Sequence, residues 1–109
     1  MLAKKYRIPI QDWLKERKKI NIRKSEFFII KTAANNLSFS RYGLIISKQV
    51  SKAAVRRNRI KRIIFNFIRL NKYHELSGRD ILITVLTKSD KLKKEDIEKE
   101  LKKILTINY

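Results

Sequence analysis

The sequence predicts an α+β fold, an α-β sandwich in which three helices pack on a mixed four-stranded sheet. Apolar residues recur with helical spacing in three segments and form short β-rich runs in four others, in the order α-β-β-β-α-β-α. We expect the strands on either side of the long second helix to be parallel, so that this helix crosses over the sheet. A length of 109 residues with 43% hydrophobic residues suits one domain, residues 1–109. We also expect the helices to lie on one face of the sheet.

The first half of the chain predicts one helix and three strands. Pro9 suits the first turn of a helix that continues through IQDWLKERKK, residues 10–19. The β-rich segments are INIR at 20–23, EFFIIKTA at 26–33 and RYGLIIS at 41–47. The polar segment NNLSFS, residues 35–40, separates the last two and is typical of a turn or loop.

The second half predicts a long helix, a buried strand and a final helix. The long helix covers about Lys52 to Leu70, and SGRD at 77–80 interrupts the chain after it. ILITVL at 81–86 is apolar throughout, which is typical of a buried strand. Residues 88–105 form a mixed-charge amphipathic helix, whose apolar side carries Leu92, Ile97, Leu101, Ile104 and Leu105.

The charge of the chain is large and unevenly distributed. Twenty-eight Lys and Arg against ten Asp and Glu give a net charge of +18. Between Phe27 and His74 there is no acid, whereas Lys and Arg are frequent there. Self-repulsion on this scale destabilises a compact fold, so a polyanionic partner is the simplest explanation for it. Nucleic acid is the leading candidate, and an anionic membrane surface is the weaker one.

Several classes of site and of protein are excluded by composition. Without cysteine, disulfides and thiolate metal sites cannot form, and His74 alone cannot provide a histidine-based metal cluster. No apolar run approaches the roughly 18 residues that a membrane span needs. The N-terminus has basic residues but no apolar stretch after them, unlike a secretory signal. We therefore expect a cytoplasmic protein with no membrane partner, no metal site of its own and no small-molecule substrate.

The long central helix combines a core stripe with a basic ridge. If Arg59 is placed at zero degrees, Ile60, Ile63, Ile64 and Phe67 fall between about 40 and 140 degrees. Arg62, Asn66 and Arg69 fall within about 80 degrees of Arg59 on the other side, flanked by Lys61 and Lys72. Phe65 lies on the basic side, where it either packs under the N-terminal segment, which we favour, or stacks on a base.

A purely structural origin does not explain this ridge. A charged helix face usually carries acid partners one turn away, and this helix has none. Arginine dominates lysine here, and its planar fork suits bidentate phosphate contacts and stacking on bases. The ridge therefore predicts nucleic-acid binding, although composition alone does not separate RNA from DNA.

Residues 41–69, RYGLIISKQVSKAAVRRNRIKRIIFNFIR, resemble the signature of the bacterial ribonuclease P protein component. The resemblance lies in an Arg-Asn-Arg core, Arg57, Asn58 and Arg59, followed by the basic pair Lys61 and Arg62. An apolar strand ending in Ser-Lys precedes the core, and an aromatic residue and an arginine close the helix. GRDILITV with a charged C-terminal helix extends the resemblance over nearly the whole chain.

The resemblance implies a fold and a function. The fold is an α-β sandwich similar to a domain of a small-subunit ribosomal protein, with a left-handed crossover at the basic helix. The family protein binds the catalytic RNA of ribonuclease P, which removes the 5′ leader from precursor tRNA by Mg²⁺-dependent phosphodiester hydrolysis. The protein supplies no catalytic residue. The implied partners are the catalytic RNA and precursor tRNA, and the implied Mg²⁺ is held mainly by the RNA.

The resemblance also assigns two surfaces. The surface for the catalytic RNA comprises Lys48, Lys52, Arg56, Arg57, Asn58, Arg59, Lys61, Arg62 and Arg69. The leader cleft, between the sheet and the helices, comprises Trp13, Arg17 and Phe28. Trp13 takes the place of one family aromatic, with core packing as the alternative. Arg17 stands where the family often has a second aromatic, so a phosphate contact replaces stacking there.

Three other classes of protein compete with this interpretation. A basic ribosomal or other structural RNA-binding protein without a role in cleavage would share the charge, but it would not need the signature. A helix-turn-helix DNA-binding protein needs a helix before its recognition helix, and the sequence before Lys52 predicts a strand. A stand-alone nuclease needs clustered acids for metal, whereas the five acids from Asp90 to Glu100 lie on a mixed-charge helix with lysines between them.

Overall fold

The computed structural model describes residues 2–47, 49–75, 78–86 and 92–107 and confirms the predicted order of helices and strands. The helices and strands are α1 (Ile10–Lys15), β1 (Asn21–Lys24), β2 (Phe28–Ala34), β3 (Arg41–Ile45), α2 (Ala54–Leu70), β4 (Arg79–Val85) and α3 (Lys94–Ile107). Two short 3-10 helices, Lys4–Tyr6 and Tyr73–Glu75, were not predicted. The predicted start of the last helix, residues 88–91, lies outside the described residues.

The four strands form one mixed sheet in the order β1-β2-β4-β3. β2 pairs antiparallel with both β1 and β4, whereas β3 and β4 are parallel, which confirms the crossover through α2. β3 is an edge strand, and the N-terminal segment partly covers it: the Ile8 amide donates to the Tyr42 carbonyl at 2.9 Å. The handedness of the crossover stays a prediction from the resemblance.

The expectation that all helices lie on one face of the sheet is wrong. On one face, α2 and α3 bury Tyr42, Ile81 and Ile83 in the main core. On the other face, Leu82 packs in a second core with Trp13 of α1. Ile81, Leu82 and Ile83 are all fully buried, so both faces of β4 need a cover. α1 provides that cover on the second face.

Gly43 allows α1 to lie close against the sheet. A Cβ atom at this position would come within 3.0 Å of Leu82 Cδ1 and 3.2 Å of Ile10 Cγ1. A side chain here would therefore push the start of α1 away from β3.

α1 is shorter than predicted. It ends at Lys15, and Glu16 already has extended backbone angles, although the sequence suggested a helix to residue 19. Trp13 is its one buried residue, and the residues after Leu14 are all charged until Ile20. Isolated short helices are unstable in water, so α1 persists only where side chains anchor it to the sheet. No helix among the described residues combines the length and the apolar composition needed to cross a bilayer.

Candidate nucleic-acid interface

α2 has the two predicted faces. Its core stripe is confirmed, since Ile60, Ile63, Ile64 and Phe67 are buried, together with Ile68 and Phe65. Arg59, Arg62 and Arg69 are exposed, and Asn66 between them is half-buried. We call these four residues the basic ridge. They stand on a 17-residue helix whose opposite face packs in the main core, so the backbone that carries the ridge is held against the sheet.

The basic ridge is not neutralised within the described part of the chain. The two ion pairs found there, Lys18–Glu16 and Arg41–Asp80, lie elsewhere. α2 itself contains no acid. Like charges one turn apart destabilise a helix slightly, and a bound polyanion removes that cost. The arginines of the basic ridge, unpaired among the described residues, therefore suit a surface that binds the phosphate groups of a nucleic acid.

The N-terminal end of α2 extends this cationic surface. Lys52, Arg56 and Asn58 are exposed. Arg57 is half-buried, and its guanidinium donates a 2.8 Å hydrogen bond to the Ser51 carbonyl, so it also braces the loop before the helix. Lys48, which the resemblance assigns to the same surface, lies outside the described residues.

Lys61 faces away from the basic ridge, towards a cavity of about 630 Å³ between the N-terminal segment, β3 and α2. Phe65 is buried and lines the same cavity beside Ile8 and Tyr42, so packing under the N-terminal segment is confirmed for its ring. The cations that line the cavity are Lys4, Lys5, Arg7, Arg41 and Lys61. Sequence patterns did not reveal this cluster because its members come from three separate segments.

Trp13 and Asp80 connect α1 to the sheet. The Trp13 side chain is 1% exposed, and its Nε1–H donates to Asp80 Oδ2 at 2.9 Å. Asp80 also accepts hydrogen bonds from Asn35 at 2.9 Å and from two nitrogens of Arg41 at 2.8 and 2.7 Å. Burial raises the pKa of Asp80, but these hydrogen bonds and the Arg41 charge outweigh it, so the pKa lies below its ordinary value.

Two residues assigned to the leader cleft are placed in the protein interior. Trp13 is in the second core, which favours the core-packing alternative for its ring. Phe28 has no exposed surface and points into the main core on the α2 side of the sheet. The expectation that the Phe28 ring lines the cleft is therefore corrected. The third residue, Arg17, is exposed just beyond the end of α1.

The sheet face beside α1 exposes other residues that the sequence analysis missed. Ile29 and Lys31 alternate with the buried Phe28 and Ile30, so they point to the α1 side, and both are half-buried. The pairing register places Thr84 beside Ile29 and Ile22 beside Lys31. Ile22 is 59% exposed. We call Ile22, Ile29, Lys31 and Thr84 the open sheet face; it combines an apolar surface with one cation.

The described residues contain no group of three or more His, Cys, Asp or Glu side chains that could hold a metal ion. Mg²⁺ prefers carboxylate oxygens and phosphate oxygens as ligands. The basic ridge offers three arginine cations and a single amide oxygen, that of Asn66, so the ridge does not fit a Mg²⁺ site.

The sequence of this chain is similar to those of known RNA-processing proteins. The family model for ribonuclease P matches residues 7–108, nearly the whole chain. The chain belongs to the ribonuclease P protein family. The ribonuclease P protein component of Syntrophus aciditrophicus is 38% identical over 82 residues, which cover 75% of this chain and 68% of the relative.

Solved ribonuclease P proteins share the fold. The Staphylococcus aureus protein superposes with a TM-score of 0.82 at 28% identity, covering 94% of each chain. The Thermotoga maritima protein gives a TM-score of 0.80 at 24% identity, covering 93% of this chain and 96% of that one, which supports the fold alone. The predicted α+β sandwich is thus confirmed as the fold of ribonuclease P proteins.

Proposed function

We propose that this chain is the protein subunit of a ribonuclease P ribonucleoprotein. It binds the catalytic RNA and the 5′ leader of precursor tRNA, and it assists Mg²⁺-dependent removal of that leader in the cytoplasm. The observation that carries the proposal is the basic ridge, a row of exposed arginines on a packed helix that contains no acid. Family membership supports the catalytic RNA of ribonuclease P as the partner of this row.

The two surfaces have different roles in this proposal. The basic ridge and the N-terminal end of α2 bind phosphates of the catalytic RNA through charge-assisted hydrogen bonds. The open sheet face holds the leader, with Lys31 for a phosphate and Ile22 and Ile29 for ribose or base surface. Arg17 adds a cation at the end of α1. The two surfaces lie on opposite sides of the sheet, so both RNAs can be bound at once.

The chemistry belongs to the RNA in this proposal. Hydrolysis of a phosphodiester needs metal ions or a general base beside the reacting oxygen, and the cationic surfaces offer neither. Magnesium would be held mainly by the RNA. The cations of the protein lower the repulsion between the assembled phosphates, so less Mg²⁺ is needed for the same assembly.

Reconstitution tests the proposal. The protein is combined with the catalytic RNA and precursor tRNA, and cleavage is followed at low Mg²⁺. We expect the protein to stimulate cleavage most at low Mg²⁺ and to cleave nothing alone. The variant Arg59→Ala with Arg62→Ala keeps the apolar stripe and the helix, because alanine is the best helix former. It should assemble at least about tenfold more weakly.

The matched control is Lys102→Ala with Lys103→Ala, which removes two exposed lysines from α3. It should assemble close to wild type, although it changes the net charge by the same amount. Equal weakening in both double variants would mean that net charge, and not the basic ridge, drives assembly. No stimulation of cleavage by the wild type would favour a structural RNA-binding protein instead.

A further inference from the structure

The basic ridge lines one side of a groove between α2 and the start of α3, and this groove also includes apolar surface. It has a volume of about 300 Å³. α2 contributes Arg62 and Asn66 with the apolar side chains of Ile63 and Leu70, and α3 contributes Lys94 and Glu98. Leu70 is 67% exposed. Phosphate groups gain nothing from an exposed leucine, whereas the flat face of a nucleobase does.

Glu98 is the unexpected member of this groove. It is the one acid that lines it among the described residues, and its carboxylate repels phosphate. Within that part of the chain it forms no ion pair within 4.0 Å, although Arg62 and Lys94 line the same groove. Glu98 is half-buried one turn after Lys94, so both project to the same side of α3. Its oxygens are therefore available to accept hydrogen bonds from a ligand.

We propose that this groove takes one unstacked nucleobase of the bound RNA and selects a base that carries an exocyclic amine. The arginines of the basic ridge hold the adjoining phosphates, and Leu70 and Ile63 contact the face of the base. Glu98 accepts a hydrogen bond from the amine of adenine, cytosine or guanine, and the Asn66 amide offers a second contact to the base edge. Uracil has no such amine and binds less well.

An RNA base suits the groove better than an acidic peptide does. A peptide acidic enough to bind the basic ridge would bring carboxylates against Glu98, and like charges at close range are unfavourable. A base brings a neutral donor to the same carboxylate. The inference rests on the proposed RNA-binding role of the ridge and adds base selectivity to it.

The test uses the full chain labelled with ¹⁵N and titrated with AMP, CMP, GMP, UMP and inorganic phosphate. We expect the three amine-bearing nucleotides to shift the backbone amides of residues 66–70 and 94–98. They should bind roughly fivefold or more tightly than UMP. Inorganic phosphate should shift the amides of the ridge without this pattern on α3.

Two variants locate the effect. Glu98→Leu removes the acceptor and should abolish the preference over UMP. Glu95→Leu removes an equal charge from an exposed position on the same helix and should keep that preference. Equal binding of all four nucleotides, shifts outside the groove, no base-dependent shift at the solubility limit, or a preference that survives Glu98→Leu would each overturn the inference. The proposed function is tested separately, by assembly of the Arg59→Ala, Arg62→Ala variant with the catalytic RNA. Failure of the inference can therefore be distinguished from failure of the proposed function.

Discussion

The Trp13 indole nitrogen donates a 2.9 Å hydrogen bond to Asp80, a residue 67 positions further along the chain. This bond joins the short α1 helix to the start of β4. Because Arg41 and Asn35 donate to the same carboxylate, four segments of the chain meet at one acid. The position of α1 beside the open sheet face therefore depends on residues that lie far apart in sequence.

Replacing Asp80 should destabilise the fold. Asp80→Asn removes a buried charge and replaces one acceptor oxygen by an NH₂ group. Trp13, Arg41 and Asn35 all donate to this side chain, so at least one of these donors loses its acceptor. We expect a loss of about 2–4 kcal/mol in the free energy of unfolding, measured by urea denaturation. Glu26→Gln, which neutralises an exposed acid, should stay within about 0.5 kcal/mol of wild type. Equal effects of the two changes would contradict a special role for Asp80.

The stability that Asp80 provides should depend on pH. Its folded pKa is lowered, so its contribution is complete above the unfolded pKa of about 3.9 and disappears as the pH falls through the folded value. The difference in unfolding free energy between wild type and Asp80→Asn should therefore be constant near neutral pH and shrink in acid. Urea titrations from neutral pH into acid measure it. A difference that grows in acid would have the wrong sign.

Trp13 is the only tryptophan, so its fluorescence reports on this helix. Because the ring is buried, we expect weak quenching by acrylamide in the folded protein and strong quenching after unfolding. Addition of a leader oligonucleotide should leave the emission nearly unchanged. Saturable quenching by the oligonucleotide would show that the indole reaches RNA, contrary to its placement here. Trp13→Ala should cost about 3–5 kcal/mol of stability.

Lys31 tests the open sheet face. Lys31→Gln should reduce the preference for precursor over mature tRNA, since only the precursor carries a leader, and should leave assembly with the catalytic RNA intact. Competition binding with the two tRNAs measures the preference. Lys102→Gln, on α3, provides the control for loss of one charge. If both variants retain the full preference, the leader does not contact Lys31.

Salt dependence measures how many phosphates the basic ridge engages. Each neutralised phosphate contributes about −0.9 to the log-log slope on a duplex and about −0.7 on single strands. The Arg59→Ala, Arg62→Ala variant should therefore bind the catalytic RNA with a slope shallower by about 1.4–1.8, if each arginine contacts one phosphate. An unchanged slope with weaker binding would mean that these arginines act through something other than phosphate.

The helix α2 and its exposed face could be predicted because the necessary information is local. Apolar residues at helical spacing fix the buried side, and the lack of acids between Phe27 and His74 makes the other side cationic. The parallel pairing of β3 and β4 also followed from the long helix between them. The faces of α2 follow from residues only a few positions apart, because the regular geometry of a helix determines which of them share a face.

The leader cleft was predicted less well because its residues depend on distant partners. EFFIIKTA is apolar at consecutive positions, so alternation could not show whether Phe28 or Ile29 faces the long helix. The burial of Trp13 depends on Asp80, Ala33 and Leu82, which no local pattern connects to it. The length of α1 was overestimated because charged residues with good helix propensity follow it but have nothing to pack against.

The central place of β4 has a consequence for synthesis of the protein. β4 is the strand that pairs with both β2 and β3, yet it begins at Arg79, after α2. Ribosomes add about 5–20 residues per second, so for about 2–8 s the nascent chain contains β2 and β3 without the complete strand that lies between them. During that interval the edges of β2 and β3 that later pair with β4 have unpaired backbone N–H and C=O groups, which can pair with other chains. The growing polypeptide, rather than the finished protein, is therefore the species that most needs protection from aggregation.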